Sequence, residues 1–271
     1  MPDEFNDWSG ESMTHSLSER VLLRLSRKPG SDDYRPEHVN YTPENALALL
    51  CRVFPDFMKT FVGREVLDFG CGTGHQAVTL SLNGARRVVG LDSSVEGLKV
   101  AKDLAARMQL TGKVEFIQNL DDRYVGKFDI VISKDSMEHF SDPGRVLDQM
   151  VRALNPDGML FITFGPPWLA PYGGHMHFFT KLPWVHLLFS ERTILTVRAH
   201  FRNDRALRYE DVEGGLNKMT VSRFERLVAQ SGVRVLFRND EYVKGISLPG
   251  KLPWIREFFI NQVSCILTRK E

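Results

Sequence analysis

Short apolar runs alternate with amphipathic stretches through the middle of the chain, between residues 64 and 165. The apolar runs have the length and composition of buried strands: EVLDF (65–69), RRVVGLD (86–92), KVEFIQ (113–118), FDIVIS (128–133) and MLFITF (159–164). Three stretches between them have helical spacing: GHQAVTLSL (74–82), VEGLKVAKDLAARMQL (95–110) and GRVLDQMVRAL (144–154). This alternation predicts a parallel sheet covered by helices on both faces, which is the doubly wound α/β class.

The alternation stops at Gly165 and resumes near Thr220. Residues 165–217 are rich in proline, aromatic residues and histidine, and we expect them to form a lid insert after strand five that covers the substrate. A helix capped by Thr220 and two strands, VRVLFR (233–238) and QVSCILT (262–268), complete the chain. Because no helical crossover separates these strands, we expect an antiparallel edge strand on a mostly parallel, seven-stranded sheet.

The first 60 residues contain two helical patterns, and we assign residues 1–60 to an N-terminal helical cap. One pattern is LSERVLLRL (17–25). The other begins after Thr42-Pro43, a capping residue followed by proline, and ends near Pro55. Residues 61–271 are predicted to form the main domain, which includes the insert.

Composition narrows the choice of partners and of location. The 35 basic and 34 acidic residues nearly balance, which favours neither nucleic acid nor a membrane surface as partner. The three cysteines are odd in number and far apart, as is typical of a reducing compartment. The polar N-terminus is unlike a secretory signal, and no apolar run approaches the roughly 18 residues of a membrane span. We expect a cytoplasmic protein without an integral membrane segment; its oligomeric state is not indicated.

The segment VLDFGCGTG (66–74) ends the first predicted strand and prepares a close backbone approach to a ligand. A triphosphate-binding loop is excluded, because its frame after Gly70 places His75 and Gln76 where glycine and lysine belong. The dinucleotide pattern is incomplete as well: Gly70 and Gly72 fit, but the third glycine is replaced by His75.

Asp92 supplies the second feature of this region. It ends the next predicted strand, 20 residues after Gly72, where a carboxylate accepts hydrogen bonds from both ribose hydroxyls. Its alternative role is to cap the following helix. A glycine-rich turn after one strand and an acid at the end of the next predict a ligand that contains a nucleoside.

Four segments, in order and in register, resemble the motifs of the class I S-adenosylmethionine-dependent methyltransferases. They are VLDFGCGTG (66–74), VVGLDSS (88–94), FDIVISKDSMEHFSDP (128–143) and LNPDGMLFITF (154–164). The resemblance covers about residues 60–165 and implies the fold and the cofactor S-adenosyl-L-methionine, but no particular substrate. This cofactor has no pyrophosphate, so the third glycine is dispensable, and its sulfonium and ammonium cations favour a nearby acid such as Asp68.

The resemblance also implies positions for the cofactor contacts. The matching residues are Asp68, Gly70, Gly72, Asp92, Ser93, Asn119, Asp121 and Ser133. In the family the two glycines admit the methionine part, the first acid contacts the ammonium group directly or through water, and the second acid holds the ribose. Ser93 or Ser94 would flank the adenine, and Ser133 would lie beside the methionine. Many relatives have an adenine-binding aspartate where this chain has Leu120, so Asn119, Asp121 or the backbone must replace it.

Three histidines are the candidate catalytic residues. His175 and His177 share one side of the GGHMHFF segment if it is extended, and His139 follows strand four. Each has a simpler interpretation: two surface histidines in a mobile lid, and a structural Glu-His pair that recurs in relatives. The alternatives are a base or substrate anchor, or an HxH metal pair, for which the sequence supplies no clear third ligand. We predict no metal.

The expected activity is methyl transfer from S-adenosylmethionine to a small-molecule acceptor, most simply O-methylation of a hydroxyl or a carboxylate. In such an in-line displacement the protein contributes mainly proximity, alignment and a dry site. A histidine of near-neutral pKa suits a hydroxyl acceptor, whereas a carboxylate needs no base. Two alternatives remain open: a dinucleotide-dependent oxidoreductase, and a protein that uses this fold as a scaffold without methylating.

Overall fold

Seven strands form one sheet in the computed structural model, which describes residues 15–28, 42–43, 45–243, 252 and 255–270. The strands are β1 (Glu65–Phe69), β2 (Arg87–Leu91), β3 (Val114–Ile117), β4 (Phe128–Lys134), β5 (Leu154–Phe164), β6 (Val233–Tyr242) and β7 (Ile260–Arg269). Their order is β3-β2-β1-β4-β5-β7-β6, and β7 runs antiparallel to both neighbours. The predicted fold class is confirmed, and the antiparallel strand lies one place inside the edge.

The helices follow the predicted alternation. Those in the described residues are α1 (Leu17–Arg24), α2 (Ala48–Val53), α3 (Phe57–Thr60), α4 (His75–Leu82), α5 (Val95–Arg107), α6 (Pro143–Ala153), α7 (Val185–Leu188), α8 (Glu191–Arg198) and α9 (Val221–Gln230). Ser94 and Thr220 cap α5 and α9 by accepting a backbone N–H three residues later. None of these helices is long and apolar enough to cross a bilayer.

Each face of the sheet has its own apolar core. On one face, α6 and α9 cover side chains such as Val131, Leu160 and Cys265. On the other, α2, α3, α4 and α5 cover side chains such as Ile132 and Phe161. The strands β1, β2 and β4 are buried on both faces, which explains why their sequences are nearly continuous apolar runs. The polar groups of the site therefore gather at the carboxyl ends of the strands.

Several element boundaries differ from the predicted ones, and two of them bear on the fold. Residues 45–47 form turns, so the helix expected directly after Thr42-Pro43 begins at Ala48. Strand β5 begins at Leu154, before the predicted apolar run, because Leu154 pairs with Phe128 across a register shift in β4. Both differences arise from pairing or packing with distant residues, which local sequence patterns do not encode.

A third core joins α1 to the insert. Leu22 of α1 is fully buried in a cluster with Met176, Phe179 and Ile194 of the insert. Hydrogen bonds support the contact, among them the one from Thr180 Oγ1 to the carbonyl of Leu25 at 3.0 Å. We call α1 together with residues 165–217 the cap.

The first 60 residues thus pack in two places. Helix α1 belongs to the cap, whereas α2 and α3 cover the sheet. Residues 1–14, 29–41 and 44 lie outside the described residues. The domain boundaries at residues 60 and 61, and the covering role of the insert, stay predictions.

Candidate active site

The loop between β1 and α4 is held against the end of β2 by its own backbone. The N–H groups of Gly70 and Cys71 both donate to the carbonyl of Leu91, at 2.8 and 3.0 Å. Gly70 and Gly72 have φ angles of +84° and +51°, in the left-handed region that favours glycine. A Cβ on Gly72 would meet no atom within 4 Å. The loop therefore presents bare backbone to open space at the carboxyl edge of the sheet.

Gly74 and Gly90 serve close packing beneath this loop. A Cβ on Gly74 would lie 2.6 Å from Cβ of Ala101 and 2.8 Å from the ring of Phe116. A Cβ on Gly90 would lie 2.6 Å from the same ring. Gly74 thus supplies, one residue earlier, the tight helix packing that the third glycine supplies in the dinucleotide pattern.

Asp92 joins the glycine loop to the start of α5. Its Oδ2 accepts the N–H of Gly72 at 2.7 Å, and its Oδ1 accepts the N–H of Ser94 at 2.8 Å. A carboxylate offers about four acceptor positions, so two remain for other donors. The cap of α5 is Ser94 and not Asp92, so the capping interpretation of Asp92 is wrong, and its remaining acceptor positions fit the ribose interpretation.

Asp68 is a buried acid on the neighbouring strand. Its side chain is 1% exposed, and Oδ1 accepts from the Gln76 amide at 2.7 Å, while Oδ2 has no hydrogen-bond partner among the residues that the structure describes. Burial and, to a smaller degree, the charge of Asp92 raise the pKa of Asp68 to about 7, against the opposing hydrogen bond from Gln76. An orphaned buried oxygen of this kind suits a cationic ligand group.

The residues predicted for the adenine side are exposed. The carboxylate of Asp121 is bound by the guanidinium of Arg123, with Nη2 at 2.8 Å, and this pair lowers the pKa of Asp121. The carbonyl of Ser93 accepts from the Gln118 amide at 3.1 Å. For the side chain of Asn119, the described residues supply no hydrogen bond, so it can turn toward a base without breaking one.

The end of β4 closes the site from the other side. Ser133 is fully buried, and its Oγ has no hydrogen-bond partner in the described residues. Beyond it, Oγ of Ser136 would lie 2.7 Å from a Cβ on Gly70. The loop after β4 and the glycine loop therefore meet over the carboxyl edge of the sheet, where a doubly wound fold binds its ligand.

Two of the three candidate histidines come together. The rings of His139 and His175 are 5.6 Å apart between centroids and nearly perpendicular, at 86°. Nδ1 of His139 lies 2.7 Å from the carbonyl of Gly215, which can only accept, so Nδ1 carries the proton and Nε2 is the basic nitrogen of the neutral ring. His177 follows two residues after His175 and is half-buried.

Residues 137–140, directly after β4, hold both ends of the insert, and we call them the platform. At the first end, Oε1 of Glu138 accepts the N–H of Gly165 at 3.0 Å. At the second, the N–H of Asn217 donates to the carbonyl of Glu138, and its amide donates to the carbonyls of Met137 and Phe140, both at 2.7 Å. His139 reaches the candidate site from this platform.

Sequence reasoning missed two charged side chains near the site. Glu138 is 3% exposed and its Oε2 has no hydrogen-bond partner; burial and the nearby Asp135 raise its pKa to about 8. Lys134 ends β4 with its side chain 11% exposed, and burial lowers its pKa. For Lys134, the signal in the sequence was the Lys-Asp pair that directly follows the apolar run FDIVIS. Across the described residues, no group of three or more His, Cys, Asp or Glu side chains is arranged to hold a metal ion.

Comparison with known proteins agrees with this geometry. A family model described as a methyltransferase domain matches residues 61–165. The ubiquinone biosynthesis O-methyltransferase of Neisseria meningitidis serogroup A is 31% identical over 105 residues, which are 37% of this chain and 44% of that protein. The enzyme of the same name from Escherichia coli O9:H4 is 32% identical over 127 residues, 45% of this chain and 52% of that protein. The match thus spans about half the length of these curated relatives.

Solved structures extend the likeness beyond the matched domain. A putative S-adenosylmethionine-dependent methyltransferase from Listeria monocytogenes superposes with a TM-score of 0.55 at 14% identity, covering 84% of this chain and 99% of that one. The [4+2]-cyclase SpnF superposes with a TM-score of 0.55 at 15% identity, covering 93% of both chains. At such identities the likeness concerns the fold alone. The predicted resemblance is confirmed: residues 61–165 match a methyltransferase domain, and the fold is the one seen in S-adenosylmethionine-dependent methyltransferases of class I.

Proposed function

We propose that this protein transfers the methyl group of S-adenosyl-L-methionine to an oxygen of a small-molecule acceptor, a hydroxyl or a carboxylate. The observation that carries the proposal is the pair of acids at the ends of β1 and β2. Asp68 has a buried oxygen without a partner, and Asp92 has acceptor positions beside an open glycine loop. The curated relatives named as O-methyltransferases support oxygen as the acceptor atom.

The residues present fit the cofactor at three points. The open space at Gly72 leaves room for a close backbone approach, and Oδ2 of Asp68 would receive the ammonium group. The carboxylate of Asp92 would accept the ribose hydroxyls while keeping its bonds to the loop. Asn119 would approach the adenine, and Ser133 would lie beside the methionine. When bound, the cofactor supplies an activated methyl group on a sulfonium.

The protein's own contribution is alignment and control of a proton. Closing the cap over the carboxyl edge would exclude water and hold the acceptor in line with the methyl group. With Nδ1 of His139 held by Gly215, its Nε2 is oriented to receive the proton of an acceptor hydroxyl. The perpendicular His175 ring would support the same step, or perform it, and His177 is the third candidate.

The decisive experiment separates binding from transfer. Isothermal titration of the purified protein with S-adenosylmethionine, and in parallel with NAD, should show binding of the first and none of the second. Incubation with S-adenosylmethionine carrying a trideuterated methyl group and a metabolite extract, followed by mass spectrometry, should show a product heavier by one labelled methyl. Binding of NAD alone would contradict the proposal.

One structural neighbour supports a second candidate. The fold of this chain also matches SpnF, which is named as a [4+2]-cyclase rather than a methyltransferase. Under that alternative, the protein would bind S-adenosylmethionine but produce no labelled product and no S-adenosylhomocysteine. The same mass-spectrometric experiment therefore distinguishes the two candidates.

A further inference from the structure

One row of the sheet changes from apolar to polar as the strands approach the site. Ile132 of β4 pairs in register with Phe161 of β5, which pairs with Ile266 of β7, and all three lie in the core beneath α2 and α4. The next positions on the same face, two residues toward the carboxyl ends of β4 and β5, form what we call the polar row. Its members are Lys134, Thr163, Ser264 and Asn239.

The polar row is too deeply buried to be an ordinary solvated surface. Thr163 and Ser264 are both 0% exposed, and Oγ of Ser264 has no hydrogen-bond partner in the described residues. A buried polar atom without a partner destabilises the folded state, and this one lies at the edge of the sheet where a doubly wound fold binds its ligand.

Asp135 is the charged group beside the Lys134 ammonium, and its carboxylate opposes the lowering of the lysine pKa by burial. Oδ2 of Asp135 lies 3.9 Å from Nζ, an ion pair too long to be a hydrogen bond. The other oxygen of Asp135 is occupied by Thr163 Oγ1 at 2.9 Å and by the Gln262 amide at 3.0 Å. Further out on this face, Glu241 of β6 is paired with Arg52 of α2 at 2.7 Å.

The position of Lys134 relative to the cofactor residues follows from register. Asp68 of β1 is in register with Ile132, so Lys134 lies on the same face, one strand over and two residues further along. At about 3.3 Å per residue, this step is about 7 Å toward the carboxyl edge. If Asp68 receives the ammonium group of the cofactor, Lys134 lies at the methionine end, on the side of β4 and β5 where an acceptor would enter.

We propose that the Lys134 ammonium, at the end of the polar row, binds the reacting oxygen of the acceptor, and that the acceptor is an acidic hydroxyl, a phenol or an enol. The inference deepens the proposed function and rests on it. The acceptor O–H bond breaks, the proton passes to a histidine or to water, and the oxyanion stays beside the Lys134 ammonium. Its electron pair would form the bond to the methyl carbon while the bond from that carbon to the sulfonium sulfur breaks, and the sulfur would keep the electron pair of the broken bond in S-adenosylhomocysteine.

The class of acceptor follows from the size of the electrostatic effect. A cation about 4–6 Å away lowers the pKa of an acid by about 1–3 units. A phenol, whose ordinary pKa is about 10 in the case of tyrosine, would then ionise near pH 7–9. An aliphatic alcohol is far too weak an acid to ionise with the same help. Lysine is therefore useful at this position for a phenol or an enol.

The probe for the test is 4-nitrophenol, which is yellow only as the anion. The protein is first saturated with S-adenosylhomocysteine, so that no methyl transfer takes place. The absorbance of the bound 4-nitrophenolate anion at 400 nm is then measured as the pH is varied, which gives the pKa of the bound probe. The wild type should bind the probe and lower its pKa by about 1 unit or more. Lys134→Met should abolish this shift and weaken binding about tenfold or more, while Lys134→Arg should retain most of the shift.

Control experiments distinguish a failure of this proposal from misfolding of a variant and from a failure of the proposed methyl transfer. Lys127→Met removes an exposed lysine just before the opposite end of β4 and should leave the probe unchanged. Calorimetric binding of S-adenosylhomocysteine to each variant reports whether the site is intact. Absence of a pKa shift in the wild type, or an equal shift in Lys134→Met, would overturn the proposal. A shift that depends on Lys134, in a protein that transfers no methyl group, would uphold it and refute the proposed function.

Discussion

The two halves of the candidate site are built in different ways. The cofactor half, from Asp68 to Asp92, is made by residues within 25 positions of each other, and backbone N–H groups carry most of its contacts. The acceptor half brings together Lys134, the platform, Gly165 and the 214–217 segment, which are far apart in the chain. Local contacts preserve a shape that one ligand requires, whereas long-range contacts leave side chains free to change with the acceptor.

The largest effect on cofactor binding is expected from a substitution of Asp92 in the cofactor half. Asp92→Ala would remove the two hydrogen bonds that the ribose hydroxyls are expected to donate to this carboxylate. It also removes the acceptor of the Gly72 N–H. Binding of S-adenosylmethionine should weaken by about 2–4 kcal/mol, which is tens-fold or more, in calorimetric titration. The matched control is Asp103→Ala, an exposed acid on α5. Equal affinities for Asp92→Ala and the wild type would remove the main support for the cofactor assignment.

Substitutions in the acceptor half should lower the turnover rate and leave the affinity for the cofactor unchanged. His139→Ala or His175→Ala is expected to lower turnover about 100-fold with the acceptor identified by mass spectrometry, because the base is lost. The wild-type rate should fall as the pH drops through roughly 6.5, where an ordinary histidine becomes protonated. His177→Ala tests the third candidate, and the exposed His200→Ala is the control. Full turnover in all three candidate variants would exclude histidine as the base.

The packing beneath the glycine loop can be separated from backbone strain by two matched variants. Gly74→Ala places a methyl group against Ala101 and Phe116, whereas Gly112→Ala has similar positive φ but no atom within 4 Å. Overpacking should make Gly74→Ala less stable than Gly112→Ala by about 2 kcal/mol in urea denaturation. Equal losses would mean that the loop tolerates a side chain and that its closeness to α5 is unimportant.

The smallest expected effect concerns pH and Asp68. Its pKa is raised to about 7 in the free protein, and a bound ammonium group would lower it, so binding releases a proton. Affinity for S-adenosylmethionine should therefore be constant above pH 7 and fall by up to about tenfold per unit below it. Asp68→Asn should remove this dependence and bind weakly at every pH. A wild-type affinity that is flat from pH 5.5 to 8 would contradict the assignment.

The raised pKa of Asp68 also affects the stability of the fold, which should fall with rising pH, whereas cofactor affinity should rise. Because the folded pKa of Asp68 lies above its unfolded value of 3.8, the folded state binds the proton more tightly and loses stability as the pH rises toward 7. Asp68→Asn should accordingly raise the free energy of unfolding relative to the wild type, and by more at pH 8, where the wild-type carboxyl is charged in both states, than at pH 5. Denaturation at pH 5 and pH 8 measures this difference.

The cofactor half could be predicted from the sequence because its signals are local. The glycine spacing at Gly70 and Gly72, the strand before it and the acid at Asp92 each follow from short-range preferences of glycine and of strands. The observed strands β1, β2 and β4 begin and end within one residue of the predicted runs. The hydrogen bonds by which Asp92 joins the N–H groups of Gly72 and Ser94 could not be predicted without coordinates.

The acceptor half could not be predicted in detail because its contacts depend on how distant elements pair. The meeting of His139 with His175 requires the insert to fold back onto the platform. The polar row requires the register of β4, β5 and β7, and a shift of one residue would turn Lys134 to the opposite face. Similarly, no local pattern indicates that Leu22 packs with Phe179 rather than with the sheet.

One residue of the platform ties together the two ends of the insert. The side chain of Glu138 accepts the N–H of Gly165, and its backbone carbonyl accepts the N–H of Asn217. The two ends therefore differ in what a substitution can reach: Glu138→Ala would remove the bond to Gly165, whereas the bond to Asn217, which the backbone makes, would not lose its acceptor.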